Sequence, residues 1–292
     1  MGRCTIMKKG AGSKVIYDCF SFNNELDLLE IRLNHHSPFV DKFIITECPW
    51  TYSGVGKRLY YDEVKDKPPF KQFKDKIIHN IYNVSPNGES NWAYEHDQRN
   101  SLRKVSFYPD DLIIYTDCDE ILRDKSVIEK AIEAITHHGI VTLDMELFWY
   151  YFNCIIAPGS PYQLDYSMEE CFNHRWRMGK IFPAKYLTKF KNLYEIRQLF
   201  LWDRTYDYTV SDAGWHFSNL GDPSLIYKKL CSFSHSKELN VRYQLSEEKI
   251  EERKANLKDP LGRDVSFIRT PLDVPQFITD NIERYGKYIL NA

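Results

Sequence analysis

Short apolar runs alternate with stretches of helical periodicity through the first half of the chain. Val15–Phe20 (VIYDCF) reads as a first strand. Asn23 and Asn24 follow as N-caps, and Leu26, Leu29 and Leu33 recur at helical spacing to about His35. Lys42–Glu47 (KFIITE) is the next strand, Ser53-Gly54-Val55-Gly56 closes the loop after it, and Asp66–Phe70 is an irregular connection. Lys76–Val84 reads as a third strand and Trp92–Val105 as a helix carrying Glu95, Arg99 and Arg103. Leu112–Thr116 (LIIYT) is wholly apolar, the signature of a strand in mid-sheet. Lys125–His138 turns Val127, Ile128, Ala131, Ile132 and Ile135 inward, and Gly139–Leu143 and Leu147–Asn153 are further strands.

The second half is less regular. Ile155–Arg175 reads as loop, Ile181–Thr188 and Leu199–Leu201 as strands, Ser246–Lys258 as a charged exposed helix, and Pro275–Tyr285 as a short terminal helix. The alternation predicts an α/β fold, one domain with a mostly parallel central sheet flanked by helices. Residues 1–14 are expected to be a flexible N-terminus, 15–240 the domain, and 241–292 a C-terminal helical extension packed on it.

Composition narrows the function. The 292 residues carry 39 Lys+Arg against 41 Asp+Glu, a net charge of −2, which lacks the basic excess of a general nucleic-acid or membrane-surface binder. The seven cysteines include no C-x-x-C pair, so a zinc ribbon or disulfide framework is not expected. No apolar run approaches about 20 residues and no signal-peptide pattern opens the chain. The expectation is a chain without a membrane anchor, cytoplasmic or otherwise soluble.

The chemistry concentrates where an apolar strand ends, in Asp117-Cys118-Asp119-Glu120. Ligands of open α/β sheets bind off the carboxyl ends of strands. On an extended backbone Asp117 and Asp119 point to one side, and two carboxylates there call for a cation. Hard ions such as Mn²⁺ or Mg²⁺ take oxygen ligands and leave positions for substrate phosphates. The plainer reading makes Asp117 a strand cap and Asp119 a turn residue. A phosphatase of the haloacid-dehalogenase type also uses D-x-D, but on its first strand and with a hydroxyl residue where this chain has Ile121.

Six blocks appear in order: DCFSFNNELDLLEIRL from Asp18, VDKFIITE…TYSG from Val40, WAYEHDQRN from Trp92, DDLIIYTDCDEI from Asp110, GWHFS from Gly214 and KKLCSFSH from Lys228. Together, from about Val15 to about Ser236, the chain resembles glycosyltransferase family 17, which includes the transferase that adds bisecting GlcNAc. The resemblance implies a GT-A-like nucleotide-sugar fold and a metal-dependent inverting reaction with a UDP-sugar donor, by default UDP-GlcNAc, and a glycan acceptor. It places Asp117 and Asp119 at the family's D-x-D; the need for a metal on the diphosphate makes Asp119 the expected direct ligand, with Asp117 on the ribose or on the metal through water.

An inverting transfer also needs a base and groups to seat the donor. His216 is the expected third metal ligand, with His235 the alternative. Asp212 is the first choice of base and Glu146 the second. Arg99 is expected on the diphosphate or paired with the acidic cluster, against a plain surface pair with Glu95, and Glu47 and Thr51 near the uridine or ribose. Trp149, Tyr150 and Tyr151 are candidates to stack an acceptor sugar, against core packing. Lys228 and Lys229 read as solvated, with contact to phosphate the alternative. The rival reading is a sugar-binding module without turnover on the same scaffold.

Overall fold

The computed structural model describes residues 14–88, 90–160, 175–199, 206, 208–232, 234, 236 and 244–291. The apolar runs of the first half become β1 (Ile16–Ser21), β2 (Lys42–Glu47), β3 (Ile77–Ile81) and β4 (Leu112–Asp117). Helices α1 (Leu26–His36), α2 (Tyr60–Val64), α3 (Asn91–Asn100) and α4 (Lys125–His138) alternate with them. Helix α4 has the bounds its periodicity predicts because both ends carry stop signals. The Asp124 carboxylate accepts the Ser126 N–H at 2.7 Å, and Gly139 leaves the helix at φ +75°. Helix α3 is shorter than Trp92–Val105: a 3-10 turn takes over at Ser101–Lys104.

Further along come β5 (Glu120–Leu122), β6 (Val141–Leu143), β7 (Met145–Trp149), β8 (Cys154–Ile156), β9 (Arg175–Trp176), β10 (Lys180–Pro183), β11 (Tyr208–Val210), β12 (Gly214–Ser218) and β13 (Phe267–Arg269). Helices α5 (Leu193–Arg197), α6 (Pro223–Ser232), α7 (Glu247–Ala255), α8 (Gln276–Asp280) and α9 (Ile282–Tyr285) are short. The expected strand at Leu147–Asn153 starts two residues earlier and stops at Trp149, where Tyr150 turns to φ +63°. The strand expected to run to Thr188 ends at Pro183, which has no N–H for a ladder, and continues as a 3-10 turn. Of the strand expected at Leu199–Leu201, positions 200–201 lie outside the described residues, as do 161–174 of the expected loop.

The main sheet has seven strands in the order β11-β6-β10-β4-β1-β2-β3. β3, β2, β1 and β4 run parallel, β11 is parallel to β6, and only β10 is antiparallel to its neighbours. The expected α/β architecture is the one observed: a mostly parallel sheet covered by helices. On one face α1 and α4 bury Leu29, Ile31, Val127 and Ala131 against Phe20, Phe43 and Ile114. On the other, Leu102, Leu187, Leu193 and Ile196 cover Tyr17, Ile44, Ile113 and Tyr115. Two covered faces explain why LIIYT is apolar throughout rather than alternating. Each fully buried Leu or Ile side chain contributes ~1.5–3 kcal/mol.

A second sheet, β5-β12-β7-β9, sits beyond the end of β4. The C-terminal segment adds a strand as well as helices: β13 pairs antiparallel with β8, and Ile278 and Tyr285 join the core around α1. The expected helical extension is thus joined by one short strand. Trp149 and Tyr150, candidates for sugar stacking, are core residues instead: Trp149 stacks on Phe267 at 5.2 Å and Tyr150 is fully buried.

Gly214 fixes how the second sheet closes on β5. Its φ is +151°, and a Cβ there would collide with the Ile121 carbonyl and the Leu122 backbone. Gly214→Ala should cost about 2–4 kcal/mol, read as a lowered urea midpoint. An unchanged midpoint would show that the two strands are free to part.

Candidate active site

The parallel neighbours β1 and β4 end side by side, with Ser21 opposite Asp117. Behind Asp117 the chain turns through Cys118 and Asp119 and re-enters extended structure at Glu120, which pairs with His216. The turn changes the expected geometry. Alternation on an extended strand no longer applies, and the carboxylates of Asp117 and Asp119 have separate surroundings.

A buried guanidinium holds this turn. Arg32, on α1, donates through Nη1 to the Asp117 carbonyl at 2.7 Å and the Glu120 carbonyl at 2.6 Å. Its Nε and Nη2 grip Asp18 on β1 at 2.9 and 2.5 Å. His36 accepts the Leu122 N–H on Nε2 at 3.0 Å, so its proton sits on Nδ1, which donates to Asp18 at 2.8 Å. Asp18, Arg32 and His36 are all fully buried. Burial alone would raise the Asp18 carboxyl, but Arg32 and His36 overcome it and hold it down at about 2. Burial keeps His36 neutral, at about 4, against the pull of Asp18.

Around the turn lies a chain of opposite charges. Arg99 donates to Glu95 at 2.8 Å and to Asp117 Oδ1 at 2.8 Å. Arg197 reaches Asp117 Oδ2 at 2.8 Å and Glu120 Oε1 at 2.7 Å, and Trp176 also donates to that Glu120 oxygen at 2.8 Å. Lys229 Nζ lies 2.7 Å from Asp119 Oδ2, and His216 Nε2 is 3.5 Å from the same oxygen. Burial would push both aspartates up. Arg197 and Arg99 outweigh it for Asp117, held at about 2, and Lys229 and His216 outweigh it for Asp119, held well below the carboxylate range. The His216 ring leans on Trp176 at 4.5 Å, and its Nδ1 is buried with no partner among the described residues.

The turn thus gathers Glu95, Arg99, Asp117, Asp119 and His216 from the expected set. Of the other expected residues within the described part, Glu47, Thr51 and Asp212 have partners of their own. Glu47 is spent on structure: its carboxylate accepts the Tyr60 and Tyr61 N–H groups at the start of α2 and meets His79 at 3.0 Å. Thr51 closes its own turn through Ser53 and the Val55 N–H. Asp212 is exposed, at φ +54°, and paired with Arg123 at 2.7 Å beyond the far end of β12. Glu146 is in register with Trp215, while Glu120 and Leu147 are in register with His216. Register partners share a face, so Glu146 lies on the opposite face of the second sheet from His216. His235 lies outside the described residues.

Among the described residues no cluster of three or more His, Cys, Asp or Glu ligands occurs: both Asp117 oxygens are held by arginines, and the Asp119 oxygen nearest His216 carries Lys229. Arg32, Arg197 and Trp176 are not among the expected site residues, and Lys229 is expected as solvated, with phosphate contact only the alternative. Arg32 left a signal, a cation in the apolar stretch Leu29–Leu33, whereas Arg197 and Lys229 act at separations of 80 and 110 residues that no local pattern encodes.

The family model of glycosyltransferase family 17 matches residues 5–267. The chain belongs to this family. Among curated family relatives, the β-1,4-mannosyl-glycoprotein 4-β-N-acetylglucosaminyltransferases of Rattus norvegicus and Homo sapiens are each 26% identical over 114 residues. Those residues are 36% of this chain and 21% of each relative, so the family 17 chain spans about a fifth of the relatives it matches. Among solved structures, Rv0371c from Mycobacterium tuberculosis H37Rv is 10% identical with a TM-score of 0.42, covering 75% of this chain and 97% of that one. A 4-diphosphocytidyl-2C-methyl-D-erythritol synthase is 11% identical with a TM-score of 0.38, covering 69% and 90%.

Arg32→Ala leaves Asp18 buried without its main partner and should cost about 3–5 kcal/mol in urea unfolding. A loss below 1 kcal/mol would mean the turn stands without the clamp. Acid acts through the same group. Because the folded pKa of Asp18 is depressed, its stabilisation is full above about pH 4 and is lost as pH falls towards 2. Urea midpoints should fall across that window, and a flat profile from pH 5 to 2 would contradict it.

Proposed function

We propose that this family 17 chain transfers a sugar from a UDP-sugar, UDP-GlcNAc by default, to a glycan hydroxyl with inversion at the anomeric carbon. The acceptor oxygen attacks that carbon, the bond to the β-phosphate oxygen breaks, and UDP leaves with the electron pair. The acceptor's proton passes to a carboxylate or to water. The observation that carries the reading is the convergence of Arg99, Arg197 and Lys229 on the turn after β4. Three fixed cations at the carboxyl end of a parallel sheet suit a diphosphate, whose charge grows as the sugar departs. The N-acetylglucosaminyl transfer named for the curated relatives supports GlcNAc as the sugar. The base is not assigned to Asp212 or Glu146, given their placement.

One observation favours binding without turnover as a second reading: Asp117, Asp119 and Glu120 each carry a basic partner. A panel of UDP-sugars with glycan acceptors, scored for UDP release and for thermal protection, separates the two. Release with UDP-GlcNAc is expected. Protection with no release from any donor would select the binding module, and neither response would remove the nucleotide-sugar reading. In the same assay Arg197→Ala should lower kcat/KM at least tenfold, since it removes a charge-assisted contact. Asp212→Asn should stay within about twofold, because its partner Arg123 lies outside the charge chain; a loss of 10²-fold or more would restore Asp212 as the base.

A further inference from the structure

Lys229 has the attributes of a placed ion. Helix α6 is anchored by Ile226 and Leu230, buried against the cluster that holds Leu147 and Phe267. Lys229, one residue before Leu230, is carried inward, and its side chain is only 15% exposed. Its ammonium sits 2.7 Å from Asp119 Oδ2 and 3.8 Å from Glu25 Oε1. The second distance is too long for a hydrogen bond, so the donor to Asp119 is one of three and the other two N–H groups have no described acceptor.

A divalent ion on Asp119 and His216 would need a position about 2.1–2.2 Å from each donor atom, beside an ammonium already 2.7 Å from the shared oxygen. Like charges that close exclude one another. Both Asp117 oxygens face arginines, whose positive charge opposes a further cation there. One carboxylate, with an oxygen already carrying an ammonium, and one imidazole are a sparse protein shell for an ion that prefers octahedral oxygen.

Resting on the donor reading above, we propose that Lys229 is the resident cation of the Asp119 site and meets the donor's diphosphate directly, so that nucleotide binding requires no divalent ion. Asp119 orients the ammonium, its free N–H donors point to phosphate oxygens, and Arg99 and Arg197 supply the flanking charge.

Calorimetric titration of UDP into the full chain tests this, in EDTA and in MnCl₂, for the wild type, Lys229→Met and Lys229→Arg. Wild-type affinity should agree within about twofold between the two buffers. Lys229→Met should bind at least about tenfold more weakly in EDTA, the loss of one charge-assisted contact, and recover part of that in MnCl₂ because Asp119 is then unpaired. Lys229→Arg should stay nearer the wild type. Wild-type binding that vanishes in EDTA and returns with Mn²⁺ overturns the proposal, as does a Lys229→Met variant that binds like the wild type in EDTA. If the methionine variant does not fold, the wild-type comparison decides alone. If UDP binds the wild type in neither buffer, the nucleotide reading falls and this proposal with it.

Discussion

A single buried charge pair, Arg32 with Asp18, ties the first helix to the first strand and to the turn that follows the fourth. Placing both ions out of water is costly, and removing either partner would leave the other charged in the core. The guanidinium therefore has to be fully used. It is: its donors reach a carboxylate and the carbonyls on both sides of the turn, while His36 takes up the Leu122 N–H. A turn whose backbone is gripped from below can hold two ionised aspartates in fixed and different directions.

That division of labour sets the electrostatics above it. Asp117 belongs to a row of alternating charges running from Glu95 through Arg99 and Arg197 to Glu120. Asp119 is apart, with Lys229 and His216. Both carboxyls are depressed even though burial works against them, which means the cations were placed before any ligand arrives. Preplaced charges reorganise little when a polyanion binds, and catalysis benefits from such preorganisation.

Much of the frame was legible. β2 and α4 have the expected bounds because a continuous apolar run and a capped amphipathic helix are local signals. The acidic cluster was legible for the same reason, at the end of an apolar strand. What escaped were elements of three to five residues, such as β5, β12 and α5, whose existence depends on partners distant in sequence. The face on which Glu146 lies follows from its register with Trp215, and register is invisible without the pairing. Asp212 looked like a base because it precedes the GWH block, yet His216 extends away from it along β12.

The passage from β4 to β5 has one more consequence. It carries the chain from the large sheet into the small one, so Asp117 rides with the former and His216 with the latter. The turn therefore straddles the seam between the two sheets. Any slip of one sheet past the other would change the gap between the arginines at Asp117 and the lysine at Asp119 without breaking a strand pairing within either sheet.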